Sequence, residues 1–326
     1  MAETVNIAKM AEILSNELFG DFLWERIGPT NTNWGCEDTD KHNVKTHPSD
    51  VVFSYDNPYA QSRTYVNCDL KSYARTSITA GGVRSAMEAL ARSLGCAEKS
   101  QVWQKRFLHE HVNHEICGLL FIYNHDGEYD KNFQEMVAHI DPVLVDIPTK
   151  SKIVVLGPND IFWLNNLRYE IVQMRGKGVL PAAAACKFFY PHLSRKKNVQ
   201  LADARAATLE MLTSPWVILS YEHPANPGHN GYVIFYRGKG ESVEEFLYLI
   251  DYLMHYQVIV AHSEVRIKTL FADREAPAVF RKAMDEYVYE CDGSTDIRNR
   301  LAAIDYSEIR DIHTRFSEIE IGMNNG

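Results

Sequence analysis

Apolar residues open the chain on a helical rhythm. Ile7, Met10, Ala11, Leu14, Leu18, Leu23 and Ile27 recur mostly at three- and four-residue steps. This predicts one helix over 5–27, closed by Gly28-Pro29. Residues 29–47 are polar and rich in turn formers. Two strands follow, DVVFSY (50–55) and TYVNCDLKSY (64–73), joined by the Asp, Asn, Pro and Ser of DNPYAQSR. Ser77 or Thr79 can cap a helix that runs to Leu94 and stops at Gly95. A second helix is expected over 100–114. The nearly unbroken apolar runs GLLFIYN (118–124) and KIVVL (152–156) have the look of buried strands, and a helix over 159–176 completes the series.

The pattern changes at GKGVLPAAAACK, where we draw a boundary between residues 1–178 and 179–326. Beyond it, WVILSYE and YVIFYRG predict a hairpin. A helix from Ser242 to Tyr256, a strand EVRIKTLFA and a helix APAVFRKAMDEY come next. This β-β-α-β-α order predicts an α+β domain, with a ferredoxin-like arrangement as the expected form. The first segment alternates strands and helices as an α/β domain does.

Composition narrows the picture only slightly. At 326 residues, 45% hydrophobic and 24% charged, the chain can bury sizeable cores. A net charge of -9 argues against a generally basic coat for nucleic acid, although it is compatible with a local basic groove. The N-terminus lacks the basic region and apolar core of a signal peptide, and no run of about 18 apolar residues exists to span a membrane. The six cysteines are scattered without a C-x-x-C pair, so neither a zinc module nor a disulfide framework is indicated, and a cytoplasmic setting is expected.

The candidate chemistry lies in the hairpin. A loop centred between Tyr59 and Ala60 sets Asp50 opposite Asp69, and strand alternation puts Asn67, Asp69 and Lys71 on one face. Two neighbouring carboxylates repel unless one is protonated or a cation lies between them. A hard divalent ion such as Mg²⁺ suits oxygen donors, and a lysine beside it can position a water.

Asp50 followed by Asp69-Leu70-Lys71 resembles the PD-(D/E)xK motif of the restriction-endonuclease-like nuclease superfamily, with Pro48-Ser49-Asp50 in place of Pro-Asp. The order of helix, hairpin, helix and strand over residues 5–125 is similar to that superfamily's αβββαβ core, provided a first strand lies within 30–47. The resemblance implies a metal-dependent deoxyribonuclease. Asp50, Asp69, the Leu70 carbonyl and an acid of the first helix would hold Mg²⁺, with Mn²⁺ as a substitute, and Lys71 would orient the attacking water. Glu17, in line with Asp21 and Glu25, is the preferred helix acid and Glu25 the runner-up. Arg75 and Arg84, flanking the Gly81-Gly82 helix start, would meet the nucleic-acid backbone. The superfamily acts on DNA and on RNA. The resemblance further implies a role in defence against foreign DNA, with a partner subunit or a second copy of the chain. A binding subunit that keeps the fold without the chemistry is the alternative, against which the retained Asp50, Asp69 and Lys71 speak.

Other patterns carry less. HEHVNHE (109–115) lacks the H-E-x-x-H spacing, although His111 with His114 or Glu115 offers metal donors. SRKKN (194–198) is a short basic cluster. Neither a P-loop nor a G-x-S-x-G elbow is present.

Overall fold

The first helix stops earlier than its apolar spacing predicts. The computed structural model describes residues 2–60, 62–109, 113–191, 204–223, 226 and 228–310, with only the backbone for 2–10 and 142. In it, α1 spans Ala2–Asp21. Leu23 then adopts a left-handed φ of 66°, and its N–H bonds Gly20 O at 3.0 Å. This turn releases Glu25–Ile27 as a strand, β1. The apolar Leu23 and Ile27 therefore belong to a turn and a strand, and the 5–27 helix is corrected accordingly.

The chain continues through β2 (Thr32–Gly35), α2 (Thr39–His42), β3 (Thr46–Ser49), β4 (Val51–Asp56) and β5 (Arg63–Tyr73). It then forms α3 (Ala80–Ala97), α4 (Gln101–Phe107), β6 (His114–Asn124), α5 (Phe133–Ala138), α6 (Pro142–Val145) and β7 (Ile153–Leu156). α7 (Pro158–Gly176) follows, and two compact units divide inside it at Asn165–Asn166, ahead of the boundary drawn from composition.

The main sheet of the first unit has the order β1-β4-β5-β6-β7. β1, β4 and β5 pair antiparallel, while β5, β6 and β7 pair parallel. The parallel step from β5 to β6 needs a crossover, which α3 and α4 supply. This five-stranded mixed sheet fits a PD-(D/E)xK-type core. Its first strand is β1, Glu25–Ile27, ahead of the expected 30–47 window. β2 and β3 form a separate antiparallel pair.

Both faces of the sheet are covered. On one, Phe19 of α1 meets Phe53 and Phe121 edge-on and stacks on Trp24 at 4.5 Å. On the other, Val83, Met87, Leu90 and Leu94 of α3 share a core with Val52, Leu120 and Ile122. Gly118 lets α3 approach: a Cβ there would lie 3.0 Å from both Leu90 and Leu94.

The second unit contains β8 (Cys186–Phe188), α8 (Leu209–Leu212), β9 (Trp216–Glu222), β10 (Asn230–Tyr236), α9 (Val243–His255), β11 (Glu264–Thr269), α10 (Ala276–Glu290), α11 (Thr295–Ala302) and β12 (Asp305–Glu308). The predicted hairpin is present as β9 and β10. Phe246, Leu249 and Leu253 of α9 and Phe280 and Ala283 of α10 share a core with Ile234 and Ile267. Within this unit, Lys268 Nζ pairs with Glu170 at 3.0 Å. The strands lie in consecutive order, β12-β11-β10-β9-β8, with β10, β11 and β12 parallel. A ferredoxin-like unit interleaves its strands instead, so this unit is a mixed sheet with helical crossovers between its parallel strands, with neither that topology nor a segregated α+β arrangement. Among the described residues no helix is long and apolar enough to cross a membrane.

Candidate active site

The hairpin register agrees with the sequence reading. Val51 pairs with Cys68 and Val52 with Asn67, which brings Asp50, in the bend just before β4, beside Asp69 on β5. Asn67 Nδ2 bonds Ser93 Oγ of α3 at 3.2 Å, so the alternate residues Asp69 and Lys71 share the face that α3 covers.

Asp50 is held from several directions. Its Oδ2 accepts the Leu70 N–H at 2.7 Å, and its carbonyl accepts the Asn31 N–H at 2.7 Å. Ser49, the residue interposed between Pro48 and Asp50, is buried. Its Oγ accepts the indole N–H of Trp34 at 3.1 Å and of Trp103 at 3.2 Å. Two buried tryptophans thus pin the backbone one residue before the carboxylate.

The charges interact strongly. Burial raises the Asp50 pKa, the Leu70 N–H pulls it back, and the Asp69 charge and a side-chain hydrogen bond with Asp69 raise it again. Lys71 Nζ donates to Asp69 Oδ1 at 2.5 Å. Burial pulls the Lys71 pKa down, but Asp69 and then Asp50 outweigh it and keep the ammonium charged. The group therefore contains two interacting carboxylates and one cation. It lacks one positive charge for neutrality, which suits a divalent ion held by oxygen donors.

A cavity of about 120 Å³ opens beside this group, lined by His47, Asp50, Asn67, Asp69, Arg92 and Ser93 among others. Burial, then His42 and Arg92, lower the His47 pKa to about 4, so that imidazole is neutral at physiological pH. Arg92, on α3, was not singled out from sequence. It lies eight residues beyond Arg84, two helical steps along the same line, and that spacing was the available signal.

Glu17, Glu25, Arg75 and Arg84 are not among the residues that line this cavity. Glu17 is exposed on α1. Glu12 of α1 is connected to the Asp50 bend: its Oε2 accepts Asn31 Nδ2 at 3.2 Å, and Asn31 holds Asp50 through its backbone. Glu25 is on β1 and pairs with Arg63 at 3.2 Å. Arg75 pairs with Asp130 at 2.8 Å and Arg84 with Glu88 at 3.4 Å, all near the surface. Gly81 and Gly82 do sit at the start of α3, where Thr79 Oγ1 caps the Gly82 N–H. His111 and the 194–198 basic cluster lie outside the described residues.

Residues 1–160 match the family model described as the GAPS4 protein PD-(D/E)XK nuclease domain. No curated protein and no solved structure gives a match.

Proposed function

From a first domain that belongs to the PD-(D/E)xK nuclease superfamily, we propose that this protein is a Mg²⁺-dependent endonuclease that hydrolyses phosphodiester bonds in DNA. One observation carries the reading: Asp50 and Asp69 line one cavity and interact through their side chains, and Lys71 is bonded to Asp69. Carboxylates placed this way cost free energy without a cation, and a site that bears this cost is usually functional.

In this reading Asp50, Asp69 and the Leu70 carbonyl hold the ion. Glu12 or Glu17 supplies the acid from α1, and the hydrogen-bonded connection to Asp50 favours Glu12. Mg²⁺ there would polarise the phosphate and lower the pKa of a bound water. Lys71 keeps its charge, so its Nζ orients the attacking water by donating to it and offsets the negative charge that develops on the phosphoryl oxygens. Arg92, across the cavity, faces the same phosphate and fixes its orientation. Arg75 and Arg84 provide flanking, salt-sensitive attraction to the nucleic-acid backbone.

The part of the chain beyond about residue 178 serves recognition of substrate or of a partner, either another subunit or a second copy. Tyr248 and Tyr289, 66% and 83% exposed, are among the large side chains it offers. A nuclease in the cytoplasm endangers its own cell unless it is gated. We therefore place the activity in defence against foreign DNA.

The test is cleavage of supercoiled plasmid, linear DNA and RNA with Mg²⁺ or Mn²⁺, alongside Lys71→Ala and Asp69→Ala. Metal-dependent nicking of DNA that both substitutions abolish is the expected result. Cleavage of RNA alone would move the substrate to RNA. If no nucleic acid is cut, with or without partner proteins encoded beside it, the enzyme reading fails and the binding-subunit alternative takes its place. Cutting that survives both substitutions would mean that the site is elsewhere.

A further inference from the structure

A second group of metal donors lies in the same unit and contains no oxygen ligand. Cys36 directly follows β2, His42 ends α2, His47 sits in β3, and Cys96 lies in the last turn of α3. One donor atom from each falls within 4.8 Å of all the others. Cys36 Sγ is 3.7 Å from Cys96 Sγ and 3.3 Å from His42 Nδ1, and Cys96 Sγ is 3.4 Å from the same nitrogen. His47 Nε2 is buried with no hydrogen-bond partner. Backbone N–H groups of Glu37 and Asp38 hydrogen-bond to Cys96, as they would to a metal-bound thiolate.

We infer that Cys36, His42, His47 and Cys96 form a structural Zn²⁺ site. Zn²⁺ takes four soft or borderline donors in a tetrahedron, with Zn–S about 2.3 Å and Zn–N about 2.0–2.1 Å. Those lengths give tetrahedron edges of about 3.8 Å between sulfurs and about 3.5 Å between sulfur and nitrogen. The observed 3.7, 3.3 and 3.4 Å lie close to these edges. A disulfide does not account for the cluster: its sulfurs would be about 2.05 Å apart, and it would leave two imidazoles converging on nothing. With all four positions taken by protein, the ion has no open place for substrate and is structural rather than catalytic.

Its role follows from where the donors come from. Three sit on the β2–β3 hairpin and one on α3, so the ion would clamp that hairpin to the helix. His47 and Asp50 line the same cavity, separated in sequence only by Pro48 and Ser49. The clamp therefore positions the strand that delivers Asp50. The inference stands whether or not the carboxylate site is catalytic. It also revises the sequence expectation that no zinc module is present.

The test is metal analysis of the full chain, purified without a histidine tag or added chelator, with X-ray absorption at the zinc edge. One zinc per chain with a mixed shell of two sulfurs and two nitrogens is expected. Cys96→Ser and His47→Gln should each carry more than about ten-fold less zinc, while Asp69→Asn keeps it. Replacing zinc by Co²⁺ in the wild type should give the visible bands of tetrahedral cobalt with thiolate charge transfer, a readout that does not depend on variants folding. Substoichiometric metal from zinc-supplemented growth, a shell of oxygens, or zinc retained by Cys96→Ser would each overturn the inference.

Discussion

Asp50 accepts the backbone N–H of Leu70 across the hairpin at 2.7 Å, although burial and the neighbouring Asp69 both raise its pKa. The hydrogen bond orients the carboxylate without neutralising it. A group whose folded pKa is raised confers stability that is full below its unfolded value, and that stability is lost as pH rises through the folded value. Without a divalent ion, ionised Asp50 therefore weakens the fold at neutral pH. Asp50→Asn keeps an acceptor for Leu70 and removes the charge. In Mg²⁺-free buffer it should stabilise the protein at neutral pH by about 0.5–2 kcal/mol while abolishing cleavage. The gain should vanish below about pH 3.9, where the wild-type carboxyl is protonated too. Thermal melts across pH measure this, and a destabilised variant at neutral pH would contradict it.

Ser49 makes a separate prediction. Its hydroxyl is the acceptor for two buried indoles, Trp34 and Trp103. Ser49→Ala leaves both donors without their partner, at about 1–3 kcal/mol for each orphaned group. Urea unfolding followed by tryptophan fluorescence should show a loss in that range, with slower cleavage because Asp50 is the next residue. A change in stability below about 0.5 kcal/mol, the scale of a neutral surface substitution, would mean that the two bonds are not an anchor.

The hairpin was legible because strand alternation and a loop of clear composition leave one central register, and Val51–Cys68 pairing follows it. The first strand was not, because Leu23 and Ile27 continue the apolar spacing of α1 while the backbone at Leu23 has already turned left-handed. Spacing reports which side chains are buried but not the φ at which a helix ends. The sulfur–imidazole cluster was hidden for a different reason. Cys96 is sixty residues beyond Cys36, and only the packing of α3 on the hairpin brings them together. Arg92 stayed unmarked because its significance depends on the cavity it faces, which no local pattern encodes.

Glu12 and Glu17 can be told apart directly. Glu12 is bonded to Asn31, which holds the Asp50 bend, while Glu17 is exposed. Glu12→Gln preserves the acceptor for Asn31 and removes only the charge. It should lower cleavage about 10–100-fold and raise the Mg²⁺ concentration needed for half-maximal rate. Glu17→Gln should leave both near wild type. The reverse outcome in Mg²⁺ titrations would assign the α1 acid to Glu17.

The three arginines should also separate, since their surroundings differ. Arg75 and Arg84 already face the carboxylates of Asp130 and Glu88 at the surface, where a charge contributes chiefly long-range attraction. Arg92 lines the cavity with Asp50 and Asp69, where a guanidinium can grip a phosphate with two parallel N–H donors. Arg92→Ala should therefore lower kcat for plasmid nicking by about 10²–10³-fold, the cost of losing one aligned donor to a charged transition state. Arg92→Lys should recover only part of this, because a lysine presents a point charge rather than a planar fork. Arg75→Ala and Arg84→Ala should change KM by a few-fold at low salt and converge on wild type as salt rises. Initial rates at two ionic strengths decide the matter. Wild-type kcat in Arg92→Ala would place the phosphate contact on another residue and leave Arg92 as part of the cavity wall alone.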